Sequence, residues 1–219
     1  MTIFQIPENV LPSFEVLSML STEETEKVGS VLQQFPLGGT VEDLQKFLNE
    51  QKLFVDIPEM AETFFSFASL LTNSNKSNKE ELAKNLSEAY SVKKKGEVGE
   101  ETVIQLEQNL LIIFKSADSL TKTVKAFNLS TENAHLYRQS SIMTDMRLLF
   151  NDELETAPGC GVILHQLKIE YAENNELKSF FVSMDLDDMK KMTEVLQRAL
   201  KKEEIIQTNH SDIHFITLK

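Results

Sequence analysis

The spacing of apolar residues differs between the first and the second part of the chain. Up to about residue 130, apolar residues recur every three or four positions, which is typical of amphipathic helices. From residue 142 they alternate with polar residues, which is typical of half-buried strands, and helical spacing returns after Asp185. The pattern predicts an α+β fold. An all-helical N-terminal domain, residues 1–130, is followed by a small three-stranded antiparallel sheet with one C-terminal helix, residues 131–219.

Capping signals and one long apolar stripe characterise the first domain. Ser21 with Glu24 has the spacing of a helix N-terminal capping box, and Thr40 with Asp43 is predicted to open another short helix. The longest stripe consists of Val103, Leu106, Leu110, Ile113, Ala117, Leu120, Val124 and Phe127. Further apolar residues widen its face, which favours the central helix of a bundle over a coiled-coil seam. Asp118-Ser119 is the candidate interruption of this helix.

The alternating region predicts three strands, at residues 142–150, 162–171 and 177–184. The polar residues 172–176 join the second and third strands as a hairpin, because Asn tolerates the left-handed backbone region. The linker Asn151 to Gly161 contains a loop signal, Pro158 to Gly161. These short connections predict a sheet of sequential antiparallel strands.

The third strand leads into an amphipathic helix, for which we expect the range 186–203. Asp185 is its predicted N-cap, and Asp188 places a second carboxylate near the helix N-terminus. Met189, Met192, Leu196 and Leu200 recur at helical spacing, so we expect this helix to lie on one face of the sheet. The tail 207–219 carries apolar residues that could add a strand.

Composition narrows the classes of partner. The net charge of −12 argues against nucleic acid, whose binding depends on neutralising phosphates. The longest uninterrupted apolar run, Leu110 to Phe114, is far too short for membrane insertion. A single Cys excludes an internal disulfide framework and fits a reducing compartment. We therefore expect a cytoplasmic protein.

Two groups of residues are candidates for catalysis. Cys160 lies in a Pro-Gly-Cys-Gly sequence with His135 and His165 nearby in the chain. A thiolate nucleophile needs a base and an activating environment, and no spacing here supplies either. Asp185, Asp187 and Asp188 form an acidic cluster, and helix capping explains Asp185 and Asp188. We predict no catalytic residue.

One group of residues is a candidate metal site. His210, Asp212 and His214 alternate, so in a strand their side chains would project to one face and could share an ion. A closed shell needs a fourth ligand, and the sequence identifies none. We predict neither a metal nor a cofactor.

The second face of the sheet is the most informative feature. One helix can cover only one face, yet the opposite face also carries apolar residues: Met143, Leu149, Val162, Leu164, Leu177 and Phe181. Monomeric proteins avoid exposing a large apolar patch, and open sheet edges favour further pairing. Either the N-terminal helices or a second module must cover these residues.

The strand-to-helix passage from Phe180 to Met189, within an antiparallel meander followed by one helix, resembles the COMM domain. The resemblance covers residues 135–206, and the helical region before it is similar to the helical N-terminal domain of that family. It implies intimate dimers formed through the sheet and a scaffold role in multi-subunit complexes, such as those of endosomal cargo recycling. Only the pairing role carries over, to the strands 142–150, 162–171 and 177–184 and the helix 186–203.

These arguments predict a non-enzymatic interaction protein. Its C-terminal module dimerises with itself or with a related COMM-like chain, and its helical domain offers surface to other subunits of a complex. The alternative is a small-ligand or metal-binding regulatory protein, with its site between the helical domain and the sheet.

Overall fold

A computed structural model describes residues 5–54, 57–73, 78–95, 97–150, 159–174 and 176–218. Contacts divide the chain into two units. The helical unit contains residues 1–130, and residues 216–218 belong to it as well; the second unit contains residues 131–215. The last residues thus lie with the helices rather than with the module predicted at 131–219.

The helical unit begins with a short 3₁₀ helix at Glu8–Val10. Its α-helices are α1 Leu11–Met19, α2 Thr22–Gln34, α3 Val41–Glu50, α4 Met60–Asn73, α5 Lys79–Lys93, α6 Glu100–Ser116 and α7 Asp118–Ser130. The single long stripe of the sequence therefore corresponds to two helices, α6 and α7, which separate at Ala117. The interruption lies next to Asp118-Ser119, where it was predicted.

The predicted capping box is confirmed, and the helix start predicted at Thr40 also has a capping box. The N–H of Glu24 donates to Ser21 Oγ at 3.3 Å, and the N–H of Ser21 donates to a Glu24 carboxylate oxygen at 2.8 Å. Thr40 and Asp43 exchange the same pair of bonds, each 3.1 Å long. Each box satisfies backbone N–H groups that have no partner within the helix, and so fixes where α2 and α3 begin.

The core of the helical unit is built on α6. Helix α6 contributes the buried side chains Leu106, Leu110, Ile113 and Phe114. They belong to one core cluster with buried residues of the other helices, among them Leu17, Leu32, Leu44 and Phe64. One polar residue, Asn109, is buried among them and donates hydrogen bonds to the carbonyl oxygens of Leu17, at 2.8 Å, and Leu20, at 2.9 Å. Those carbonyls lie at the end of α1, so Asn109 satisfies the helix terminus from α6.

The second unit contains a three-stranded antiparallel sheet in the order β1-β2-β3. The strands are β1 Leu136–Leu149, β2 Cys160–Glu173 and β3 Glu176–Met184. The predicted α+β fold is confirmed, although β1 and β2 are longer than predicted and Cys160 and Gly161 belong to β2 rather than to a loop. The predicted linker residues 151–158, including Pro158, and Asn175 of the predicted turn lie outside the described residues.

One helix, α8 Leu186–Asn209, follows the sheet. The expectation that it lies on a face of the sheet is wrong, because no residue of α8 is buried. The spacing of apolar residues identifies a stripe on a helix, but it does not identify the surface that receives the stripe. The helix is also six residues longer than the predicted 186–203, and it includes Gln207 to Asn209.

The tail forms no strand in the described residues 210–218. The N–H of His210 donates to the Ile206 carbonyl at 3.1 Å and closes α8, and the N–H of Ile213 donates to the His210 carbonyl at 2.9 Å. These short-range bonds turn the chain where the alternation suggested extension. In the described part of the chain, no helix is both long and apolar enough to cross a membrane.

Candidate protein-protein interface

The strand register assigns each side chain of the sheet to one of two faces. Directly paired residues share a face, and successive residues alternate. Face A contains the row Ile142, Leu167 and Val182, and also Ser140, Ile169, Phe180, Thr144, His165, Met184, Met146, Ile163, Leu148, Tyr137 and Tyr171. Face B contains Met143, Gln166, Ser183, Ser141, Lys168, Phe181, Asp145, Leu164, Arg147, Val162, Leu149, Cys160, Gln139, Glu170, Leu136, Ala172 and Leu177.

All the apolar residues predicted as an interface lie together on face B. Leu164 is half-buried, and the others are exposed; Phe181, for example, exposes 58% of its surface. Between them lies a polar cluster in which Lys168 and Gln139 both donate hydrogen bonds to the Glu170 carboxylate. These bonds, that from Lys168 first, hold the pKa of Glu170 below its ordinary value. Face B therefore alternates apolar side chains with polar ones along its length.

Face A is the more continuous apolar surface. Leu167 and Met184 are buried, but Met146 is 70% exposed and Ile163 59% exposed. Also exposed on this face are Ile142, Leu148, Phe180 and Val182. The sequence assigned this face to the core beneath the C-terminal helix, so its candidate interface was missed. The signal was present, because its apolar alternation is stronger than that of face B.

Aromatic side chains cluster at one end of face A. The rings of His135 and Tyr171 lie 4.8 Å apart, and those of Tyr171 and Phe180 lie 5.9 Å apart. With Tyr137 and Ile169 they line a recess of about 350 Å³. Rings at these separations stabilise one another, and aromatic residues are enriched in protein interfaces.

Ion pairs border this aromatic end. The Glu173 carboxylate accepts from Lys178 Nζ at 2.6 Å and lies 3.0 Å from His135 Nε2. These bonds, that from Lys178 first, lower the pKa of Glu173, and the same pair raises the pKa of Lys178. A polar border of this kind is typical of the rim of an interface.

Helix α8 adds a second uncovered apolar surface. Its exposed apolar side chains include Leu186, Val195, Leu196, Leu200, Ile205 and Ile206. Asp185 fixes the start of the helix as predicted, because its carboxylate accepts from the N–H groups of Asp187 and Asp188, each at 2.9 Å. The helix is therefore well defined at its N-terminus, although most of its apolar side chains are exposed within the described part of the chain.

The cap at Asp185 makes the start of α8 sensitive to acid. Hydrogen bonds from the backbone of Asp188 and then Asp187 lower the pKa of the Asp185 carboxyl. Its contribution to the helix is therefore full at neutral pH, and it is lost as the pH falls below the ordinary aspartate range and through the lowered pKa. We expect NMR-detected helicity of residues 186–190 to fall in that acidic window.

The matched variant is Asp185→Asn, whose amide oxygen retains the cap without a titrating group. It should retain the helix across the same window. If the helicity of wild type changes with pH in the same way as that of the Asn variant, the assigned role of the carboxylate is contradicted.

The candidate catalytic and metal-binding residues do not come together in one site. Cys160 lies on face B and His165 on face A, where Thr144 Oγ1 lies 2.9 Å from His165 Nδ1. Asp185 and Asp188 serve in the N-terminal capping box of α8. Within the described ranges, no group of three or more His, Cys, Asp or Glu side chains could hold a metal ion. His210 closes α8, which removes the strand that the His210, Asp212 and His214 site required.

No protein-family model matches the chain, and no curated protein matches it. The resemblance to the COMM domain therefore stays a prediction from the residues.

Proposed function

We propose that this protein is a non-enzymatic assembly protein whose second unit pairs with a second copy or with a related COMM-like chain. The observation that carries the proposal is the uncovered apolar surface of that unit. It comprises the exposed apolar residues of face A, those of face B and the stripe of α8. Such surfaces on a folded chain favour association, because water is a poor solvent for them.

The size of the sheet suits a stable interface. β1 and β2 have 14 residues each. They are therefore about 46 Å long, and with about 4.8 Å between strands each face covers on the order of 600 Å². A stable interface of standard size buries about 800 Å² on each partner. One face together with part of α8 reaches that area.

The open edges of the sheet support the same proposal. In the order β1-β2-β3, the outer sides of β1 and β3 have no neighbouring strand within the described residues. Edge strands with free N–H and C=O groups readily pair with another chain. A partner that covers a face can also protect these edges.

The wider role rests on the resemblance to the COMM domain. A COMM-like chain would act as a scaffold in a cytoplasmic multi-subunit complex, with its pairing module joined to other subunits through the helical unit. The Met143, Leu149, Val162, Leu164, Leu177 and Phe181 side chains would contribute to the pairing on face B, and the residues of face A would contribute more.

Light scattering coupled to size-exclusion chromatography tests the pairing in the full chain. We expect a mass of twice the 24.9 kDa of one chain at micromolar concentration. If the partner is a related chain, co-purification from the native cell should instead yield a stoichiometric COMM-like partner. A clean monomer at 100 µM that also co-purifies with no such chain would overturn the proposal.

A further inference from the structure

We propose that the turn between α2 and α3 is a binding site for an extended peptide segment, and that residues 216–218 of the same chain occupy it. The ligand class is an extended segment with apolar residues at alternate positions. This site lies within the helical unit and does not depend on pairing of the second unit.

The turn is held in shape by α7. Gly38 has a φ of +81°, a backbone conformation that L-residues rarely adopt. Its N–H donates to Thr123 Oγ1 at 3.0 Å, and Ser119 Oγ donates to the Phe35 carbonyl at 2.6 Å. Two backbone groups of the turn are thus satisfied by α7 rather than by the tail.

The tail passes directly over Gly38. A Cβ atom at this position would overlap the carbonyl oxygen of Thr217 and would lie 3.1 Å from Ile216 Cγ2. Only a residue without a side chain allows the tail backbone to approach this closely. Two features therefore favour glycine at position 38: the positive φ angle and the close approach of the tail backbone.

Burial along the tail alternates. Ile216 and Leu218 are half-buried, whereas Thr217 between them is exposed. This alternation is typical of an extended segment that faces a surface with every second side chain. It defines the recognised pattern as apolar, any residue, apolar.

The helical core is complete without the tail. Its buried cluster draws on residues from Ile6 to Val124, and neither Ile216 nor Leu218 belongs to it. The tail therefore packs outside the core, so we expect the turn to keep its conformation when the tail dissociates. Covalent attachment supplies an effective concentration on the order of millimolar, which keeps even a weakly bound tail in place.

NMR relaxation of the full chain tests occupancy. We expect order parameters near 0.85 for residues 216–218, as for rigid backbone, and values below about 0.6 in Gly38→Ala. The matched control is Gly99→Ala, because a Cβ there meets no atom within 4 Å. Since Gly38→Ala also strains the turn, Ile216→Asp provides a tail-side variant that leaves the turn intact and should release the tail as well.

Binding in trans tests whether the turn is a site. A peptide of residues 210–218, added to full-length Ile216→Asp, should shift the Gly38 amide resonance saturably. Wild type should bind it about tenfold more weakly, because the attached tail competes. Occupancy by the same chain also predicts that tail order is unchanged on dilution.

Several results would overturn the proposal. These are a flexible tail in wild type, an ordered tail in Gly38→Ala or Ile216→Asp, and no response of Gly38 to the peptide in Ile216→Asp. Tail order that disappears on dilution would show that a second copy supplies the tail and would overturn occupancy by the same chain. Each readout differs from the mass measurement that tests pairing.

Discussion

Ile163→Asp in the full chain is expected to weaken pairing at least a hundredfold and to leave a monomer at micromolar concentration. Ile163 lies on the central strand β2 in face A, opposite Met146, and is 59% exposed in the single chain. The carboxylate therefore remains hydrated in the monomer, but it would lose water in a pair that covers face A. Sedimentation equilibrium measures the change in dissociation constant.

Two controls separate pairing from folding. Val92→Asp introduces the same charge at an exposed apolar position of α5 in the helical unit, and it should leave pairing unchanged. Leu164→Asp places the charge one residue along, on face B, where Leu164 is paired with the polar residue Asp145 rather than with an apolar one. We expect a smaller loss there. If Leu164→Asp dissociates the pair and Ile163→Asp does not, face B rather than face A is the main contact.

Ile113→Ala is expected to lower the free energy of unfolding of the helical unit by about 2–5 kcal/mol, the range for removing a large aliphatic side chain from a packed core. Ile113 lies on α6 and is 1% exposed. Its truncation leaves a cavity among side chains of several helices. Hydrogen exchange of the most protected α6 amides reports the helical unit separately from the second unit.

The control lies on the same helix. Ile104 is 55% exposed, so Ile104→Ala makes the same chemical change with little loss of packing. Its expected cost is below about 1 kcal/mol, and the helix propensity of alanine partly offsets it. Equal costs for the two variants would contradict the packing of α6 described above.

Features that depend on residues close together in the chain could be predicted from the sequence. The capping boxes at Ser21, Thr40 and Asp185 depend on residues three positions apart, so they can be identified without knowledge of the fold. The two faces of the sheet likewise follow from alternation, which is why the six predicted interface residues lie together on face B. Strand ends were less accurate, because the ladder extends as far as neighbouring strands continue to pair.

The features that the sequence did not predict depend on contacts between distant residues. The stripe of α8 has the same spacing whether it covers its own sheet or another surface, so its exposure could not be read from the chain. The role of Asn109 was also missed, since it depends on the end of α1. A polar residue between the apolar residues Leu106, Leu110 and Ile113 was the available signal.

The contact at Gly38 also has a consequence for protein synthesis. Residues 216–218 follow the whole second unit in the chain, whereas the turn that receives them is complete after α7. On the ribosome, the helical unit can therefore fold while its tail site is vacant, until the sheet and α8 have emerged. During this interval the proposed site would be open to other extended apolar segments.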